Sequence, residues 1–512
     1  MFRTIRNLVR LFGIARTVAR YNALPETLPQ VAPAGALFWR WVSNQKEPGR
    51  VGQRLARALA ELGPTYIKLG QLLSTRSDLV GERMATDLAE LQDKLPPFPG
   101  SQARAIIEEE LGQPIATVFL SFDEEPVAAA SIAQVHFAVT ADGREVAVKV
   151  LRPGIEFAFE RDIDLFFWLA EWAEYLLPKL KRLRLREVVE TFARTSRLEM
   201  ELRMEAAAAS ELAANFKGDP TFSVPMIDWD RTARRVLTLE RIRGLKVDES
   251  ERIDAAGFDR DEILAKASAA FFNQVFRDGF FHADLHPGNL FVNQDGNITA
   301  VDFGIMGRLD RATRTYLADM LIGFLTGDYR RVALVHFEAG YVPRHQSIEI
   351  FTQACRAIGE PLQNKPLNEI SVGRLLAQLF AVTEQFEMET QPQLLLLQKS
   401  MLTAEGVGRI LNPNINMWEL ARPLIEEWMR ENRGPEAQIL DDLEATVYTV
   451  RRLPHLVREA ERAATQIAEA GLRLHPQTIR YMLDRWVDRR QSERVAIWAI
   501  LALLAVIAVE LL

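Results

Sequence analysis

The chain runs to 512 residues, 48% of them apolar, which is room for roughly two to four domains with buried cores. A formal net charge of -7 gives no general case for nucleic acid as a partner, so any basic surface must be local. The single cysteine, Cys355, excludes an internal disulfide framework and any multi-thiolate zinc site, and fits a reducing, cytosol-facing protein.

In chain order, residues 1–25 carry Arg3, Arg6, Arg10, Arg16 and Arg20 and no acid, with Phe2, Ile5, Leu8, Val9 and Phe12 at near-helical spacing. This predicts a basic amphipathic helix in an N-terminal segment 1–49, packed on its own domain or laid on a membrane surface. It lacks the continuous apolar core and cleavage site of a secretory signal. Residues 50–115 have helical periodicity, broken at Pro96–Gly100, and predict an all-helical segment. From about Val118 the pattern changes. VFLSF, SIAQVHFAVT and REVAVKVLR alternate or run apolar with β-branched residues, which predicts a small antiparallel sheet with Ala141-Asp142-Gly143 as a hairpin turn. That lobe, residues 116–245, has a helical insert from Gly154 to Phe216 and two further strands in VPMIDWD and RRVLTLERI. Residues 246–435 turn helical from Asp261 and stay so after Asp302, with breaks at Asn412-Pro413-Asn414 and Arg433-Gly434-Pro435.

A helical extension, 436–494, leads to VAIWAILALLAVIAVELL, Val495 to Leu512, with Glu510 as its one charge. Eighteen residues reach the lower edge of a transmembrane helix, about 20 being typical; a buried core helix is the alternative. Arg485, Arg489, Arg490 and Arg494 precede it and place the preceding part on the cytoplasmic side. A second basic run, KLKRLRLR from Lys179 to Arg186, suits either anionic headgroups or a solvated face. Sheet first and helices after, with a strand-rich junction between, make the expected class α+β and bilobal.

The chemistry concentrates in HADLHPGNLFVNQDGNITAVDFG, His282 to Gly304. His282, Asp284 and His286 could form a metal cluster, but that leaves Asn289 and the Asp302-Phe303-Gly304 tripeptide unexplained. Asp284 and Asn289 have the five-residue spacing of the kinase loop H-R-D-x-x-x-x-N, and Asp302 opens a D-F-G element. The intervening LFV, turn and ITAV predict a short hairpin that brings Asp302 back beside Asn289. Magnesium takes hard oxygen ligands, so Asn289 and Asp302 are the expected metal residues and Asp284 the group that orients the attacking hydroxyl or water and takes its proton.

Upstream, Val146-Ala147-Val148-Lys149 matches the strand whose lysine contacts nucleotide phosphates and pairs with a helix glutamate; Glu199, Glu201 and Glu205 are the candidates. Where a kinase has G-x-G-x-x-G-x-V, the stretch Ala128, Ala129, Ala130, Ser131, Ile132, Ala133, Gln134, Val135 keeps the register with alanine at each glycine position. Alanine visits positive φ less cheaply than glycine, so this loop is stiffer.

The alanine loop, VAVK, HADLHPGN and VDFG, with Lys68-Leu69-Gly70-Gln71 upstream, together resemble the UbiB family of atypical protein-kinase-like ATPases over roughly residues 50–435. The resemblance implies a kinase-like fold with an added K-x-G-Q segment folded over the core, shielding the place where a protein substrate would dock. It implies ATP and Mg²⁺ as cofactors, with Lys68 and Gln71 reaching the nucleotide site, Lys149 on phosphates, Glu205 as its partner, Asp284 catalytic, and Asn289 and Asp302 on the metal. The family's E-x-D pair appears as Glu199-Met200-Glu201, with a longer arm at its last place. Members often end in two membrane helices; this sequence carries one such run. Also implied are attachment to the bacterial inner membrane, a role in ubiquinone biosynthesis, and contact with membrane lipids, polyprenyl quinone intermediates and the biosynthetic enzymes. A small-molecule phosphotransferase of the aminoglycoside or choline kinase type shares the loop but has no reason for K-x-G-Q or an apolar C-terminus. A nucleotide-binding pseudokinase scaffold is the second rival, disfavoured by the complete set Lys149, Asp284, Asn289 and Asp302.

Overall fold

The computed structural model describes residues 2–23, 47–74, 80–89, 91, 95–176, 185–363, 382–383, 385–388, 391–413 and 423–430. Met1–Met429 form one compact unit and Arg430–Leu512 a second. The expected extension 436–494, the apolar run 495–512 and all but the end of KLKRLRLR lie outside the described residues.

Helix α1 (Phe2–Arg20) forms as its periodicity predicts, and it exposes apolar side chains together with several of its arginines. Arg10 pairs with Asp162 and Arg6 with Asp164 at 2.8 Å, while Arg20 pairs with Glu61. Ile5, Leu8, Val9 and Phe12 point outward, each more than half exposed.

Helices α2 (Val51–Leu62), α3 (Pro64–Ser74) and α4 (Glu82–Ala89) make the helical segment. Gly70 sits where a Cβ would lie 2.9 Å from both Leu59 and Leu91, so this glycine is a close-packing residue that lets α3 approach its neighbours. Tyr66 and Leu59 join Ile132, Ala133, Leu151 and Phe159 in a shared core, which fastens the segment to the sheet lobe.

After α5 (Gly100–Leu111), strands β1 (Phe119–Phe122), β2 (Ala128–Ala129), β3 (Ala133–Thr140) and β4 (Glu145–Leu151) fold antiparallel. The β3–β4 hairpin closes at the expected turn, with Gly143 at φ +85° and its N–H given to the Thr140 carbonyl at 2.9 Å. Helices α6 (Ile155–Leu176), α7 (Leu185–Glu199) and α8 (Leu202–Asn215) form the insert. A short β5 (Phe222–Ser223) precedes β6 (Val236–Glu240), which completes the sheet in the order β1-β3-β4-β6. VPMIDWD is not the strand expected: Ile227 makes one isolated bridge to Leu239 and Trp229–Arg231 curl into a 3₁₀ turn. The turn is fixed by Asp228, whose carboxylate accepts from Arg144 and Arg231 at 3.0 Å each.

The second lobe begins with β7 (Gly244–Lys246), α9 (Ser250–Ala255) and α10 (Arg260–Phe272). A π-helical turn, Asn273–Asp278, ends at Gly279 with φ +65° and delivers β8 (Phe280–His282). Strands β9 (Leu290–Asn293) and β10 (Ile298–Ala300) form the predicted hairpin, flanked by β7 and by a parallel β5; β11 (Met306–Arg308) pairs with β8. Helices α11 (Arg311–Thr326), α12 (Tyr329–Glu338), α13 (Ile348–Gln363) and α14 (Pro392–Leu411) follow. Phe281 and Phe303 are essentially inaccessible, each contributing about 1.5–3 kcal/mol by burial, and they join Leu397 and Val407 of α14 in the lobe's core. Among the described residues no helix is long and apolar enough to cross a membrane.

Candidate active site

The loop between β8 and β9 is held by its own histidines. His282 is wholly buried; its Nδ1 accepts from the Asp284 N–H at 3.1 Å and its Nε2 faces the Val301 carbonyl at 3.1 Å. Those two bonds require the neutral tautomer protonated at Nε2, and burial lowers the His282 pKa in agreement. The ring also meets Phe303 edge-on at 5.7 Å, so one side chain ties the Asp284 loop to the Asp302 loop. His286 accepts the Gly288 N–H on Nδ1 at 2.7 Å and caps the 3₁₀ turn Pro287–Asn289. Neither nitrogen of His282 is open to a metal, and no group of three His, Cys, Asp or Glu placed to hold a metal ion stands among the described residues.

Asn289 donates its Nδ2 to the Asp284 carbonyl at 3.0 Å, which leaves Oδ1 as an acceptor. The Val301 N–H reaches the Asn289 carbonyl at 2.9 Å, so the hairpin returns the chain beside Asn289 one residue before Asp302. Asp302 sits at φ +63°, a left-handed conformation uncommon outside glycine, and half of its side chain stays open to solvent at 49% exposure. A half-exposed carboxylate and an amide oxygen carried by adjoining loops fit a hard cation that keeps waters and phosphate oxygens as its other ligands.

Lys149 joins the lobes. Its Nζ lies 2.7 and 3.0 Å from the two Glu205 carboxylate oxygens and 2.8 Å from Asp302 Oδ1. Burial works against the Lys149 ammonium, but Asp302 and Glu205 outweigh it and hold its pKa above the ordinary lysine value. The Lys149 charge in turn holds Asp302 below the usual carboxylate range against burial, with Lys68 adding to the pull. Burial pushes Glu205 up, to about 7, against Lys149 and with the Asp302 charge adding to the rise.

Lys68 of α3 pairs with Glu199 Oε2 at 2.9 Å, both side chains largely buried, at the end of α7 beside the start of Glu205's helix. Glu201 does not share that contact: its carboxylate is turned to Arg203, at 2.6 and 2.8 Å. Gln71 lies one helical turn beyond Lys68, half-buried on α3.

The alanine loop departs from the expectation in detail. Ala128 and Ala129 are strand residues paired with Val135 and Gln134, and the Ala130 N–H is given to the Ala133 carbonyl at 2.8 Å rather than held open. Arg152 donates to the Ala130 carbonyl at 2.8 and 3.2 Å and so pins the loop tip from below. None of residues 128–135 has positive φ, which suits alanine. Val135 pairs directly with Lys149, and opposed residues share a sheet face, so Val135 belongs to the cleft. Gln134 is a correction: strand alternation turns it to the other face, where it is 1% exposed, accepts the Phe98 N–H at 2.9 Å and donates to the Phe98 carbonyl at 3.1 Å. It anchors the PPFPG stretch instead of reaching the cleft. Ser131, Ile132 and Ala133 are likewise buried, the latter two in the core shared with the helical segment.

Three contributors escaped the sequence reading: His282 as the tie between loops, Arg152 under the alanine loop, and Lys399 of α14, whose Nζ stands 3.0 Å from Asp284 Oδ1. Lys399 left one signal, a lone charge in the run Leu394-Leu395-Leu396-Leu397-Gln398-Lys399, since a lysine among leucines needs a partner.

Residues 90–336 match the model of the ABC1 atypical kinase-like domain, and residues 355–416 that of the UbiB helical domain. A protein of Marinobacter nauticus described as "Probable protein kinase UbiB" is 42% identical over 464 residues, 88% of this chain and 85% of that one. One of Pseudomonas aeruginosa with the same description is 43% identical over 461 residues, 88% of this chain and 86% of that one. A solved structure titled as the Rv3197–erythromycin complex from Mycobacterium tuberculosis is 26% identical, covering 77% of this chain and 97% of that one at a TM-score of 0.47. With identity at this level over most of both chains, and the kinase-like elements gathered at one cleft, the chain belongs to the UbiB family of atypical kinase-like proteins.

Proposed function

We propose that the chain is an ATP-dependent enzyme that transfers the γ-phosphoryl group of ATP, with water as the acceptor, in support of ubiquinone biosynthesis. The observation that carries this reading is the ion cluster Lys149–Glu205–Asp302 formed beside Asp284 and Asn289. Lys149, oriented by Glu205, contacts the phosphates that precede the transferred group. Asn289 Oδ1 and Asp302 would hold Mg²⁺, which supplies charge neutralisation to the phosphates. Asp284 aligns the attacking water and takes its proton as the new oxygen–phosphorus bond forms and the bond to the β-phosphate oxygen breaks, leaving ADP. The Lys68–Glu199 pair, which ties the helical segment to the end of α7 just before Glu205's helix, supports a site closed to protein acceptors by that segment.

Membrane attachment, on the cytoplasmic face of the bacterial inner membrane, belongs to the same proposal. Its support is the outward row Ile5, Leu8, Val9 and Phe12 on α1, beside the apolar character of Val495–Leu512. Arg10 is largely enclosed in its ion pair while Arg6 and Arg20 keep more than half of their side chains exposed, so α1 binds bilayers through apolar insertion assisted by headgroup attraction. Polyprenyl quinone intermediates are then the lipids within reach, and the biosynthetic enzymes the partners. The test is ATP hydrolysis by the full chain with and without liposomes and a hydroquinone-like lipid, with a screen for phosphorylated lipid or protein. Stimulated phosphate release without a phosphorylated product is expected; a phosphorylated small molecule or protein formed at the same rate would replace the water acceptor.

A further inference from the structure

We propose that Lys399, carried by the helical module outside the kinase-like domain, is a catalytic residue that contacts the transferring γ-phosphoryl group. The inference rests on the nucleotide-site reading above and deepens it. The loop from His282 to Asn289 contains no lysine or arginine, so the segment that carries Asp284 brings no permanent cation of its own. His286 has its Nδ1 committed to the Gly288 N–H, Lys149 is assigned above to the phosphates that precede the transferred group, and Lys68 is paired with Glu199. Yet charge on the transferring group is where a phosphoryl-transfer site places its cations, because little covalent chemistry is left for the protein to do.

Lys399 meets that need by position. Its ammonium lies 3.0 Å from Asp284 Oδ1, beside the carboxylate that the reading above sets against the attacking water and hence near the reacting end of the nucleotide. The helix that bears it is fixed: Leu397 and Val407 are buried in the second lobe's core, and Ser400 beside Lys399 is wholly buried. The lysine itself remains 42% exposed and Asp284 31%, so the pair borders open space and the long arm can lean from carboxylate to phosphate without unpacking α14. Lys399 lies within the stretch that matches the helical domain, residues 355–416, which gives that module a direct part in the chemistry of the cleft.

The test compares wild type, Lys399→Met and Lys399→Arg in the full chain, by calorimetric affinity for Mg-ATP and Mg-ADP, by single-turnover ATP hydrolysis and by melting temperature. For Lys399→Met the expectation is hydrolysis down by about 100-fold, weaker Mg-ATP binding, Mg-ADP affinity and melting temperature unchanged, and partial recovery in Lys399→Arg. Wild-type hydrolysis in Lys399→Met overturns the proposal. So does a parallel fall in both affinities with the melting temperature, which marks a structural pair. Faster hydrolysis also overturns it, by showing that the pair restrains Asp284. Wild type that binds neither nucleotide overturns the site reading itself, and this inference with it.

Discussion

Replacing Lys149 by methionine removes the cation of a three-charge cluster and leaves two carboxylates facing each other. Glu205 is 7% exposed and Lys149 15%, so their pair counts as buried, and breaking such a pair costs about 3–5 kcal/mol. Asp302, at 49% exposure, is screened by solvent and adds little to that figure. Glu205 also has an escape, because burial has already raised its pKa to about 7 and it can take up a proton. The expected loss is therefore about 2–3 kcal/mol near pH 7.5. A carboxyl whose folded pKa exceeds its unfolded value, 4.5 for Glu205, binds its proton more tightly when folded, so stability is lost as pH rises through the folded pKa. Removing Lys149 raises that pKa further, so the deficit is larger at pH 8 than at pH 6. Denaturant unfolding at the two pH values measures it, and Glu205→Gln added to Lys149→Met is expected to recover most of the loss without restoring nucleotide binding. Equal stability of Lys149→Met and wild type at pH 8, or a double variant weaker than either single one, would refute the cluster as the joint between the lobes.

Asp284→Asn is expected to keep Mg-ATP affinity and lose turnover, since the side chain acts on the nucleophile; hydrolysis at the wild-type rate would make Asp284 structural. His282, held neutral in the fold, makes stability fall as pH drops below about 6.5, where the unfolded chain takes up a proton that the buried ring refuses. Because His136 and His336 are lowered in the same sense, the His282 share is read as the difference in melting temperature between pH 7.5 and 5.5 against His282→Gln, and an identical slope in the variant counts against it. Deleting residues 2–20 is expected to weaken liposome binding, the contribution of α1 being reduced but not removed by salt; binding abolished by salt would favour a helix held by headgroups alone.

Much of the cleft was legible because kinase-like chemistry is written in short local stretches. Asp284, Asn289 and Asp302 lie within twenty residues, and the hairpin between them follows from alternation and a turn. Lys149 and Glu205 were legible as types, but three glutamates competed, and the choice rested on resemblance until the distances separated them. Gln134 was misplaced because a loop template ignores which face a strand residue takes; alternation from Val135 would have turned it inward. Glu201 was misplaced because Arg203, two residues on, offers a nearer partner. Lys399 is 115 residues from Asp284, a contact made by packing α14 on the second lobe, and no spacing rule reaches that far. VPMIDWD reads as strand by composition, and Asp228, bonded to two arginines, curls it instead.

The measurement that bears most directly on the account is calorimetric titration of the full chain with ATP in the presence of Mg²⁺ and again with chelator. Binding that needs the metal in wild type and disappears in Asp302→Asn is the expected result, because the substitution removes the one carboxylate assigned to the ion. Equal affinity with and without Mg²⁺, or Asp302→Asn binding Mg-ATP as wild type does, would contradict it.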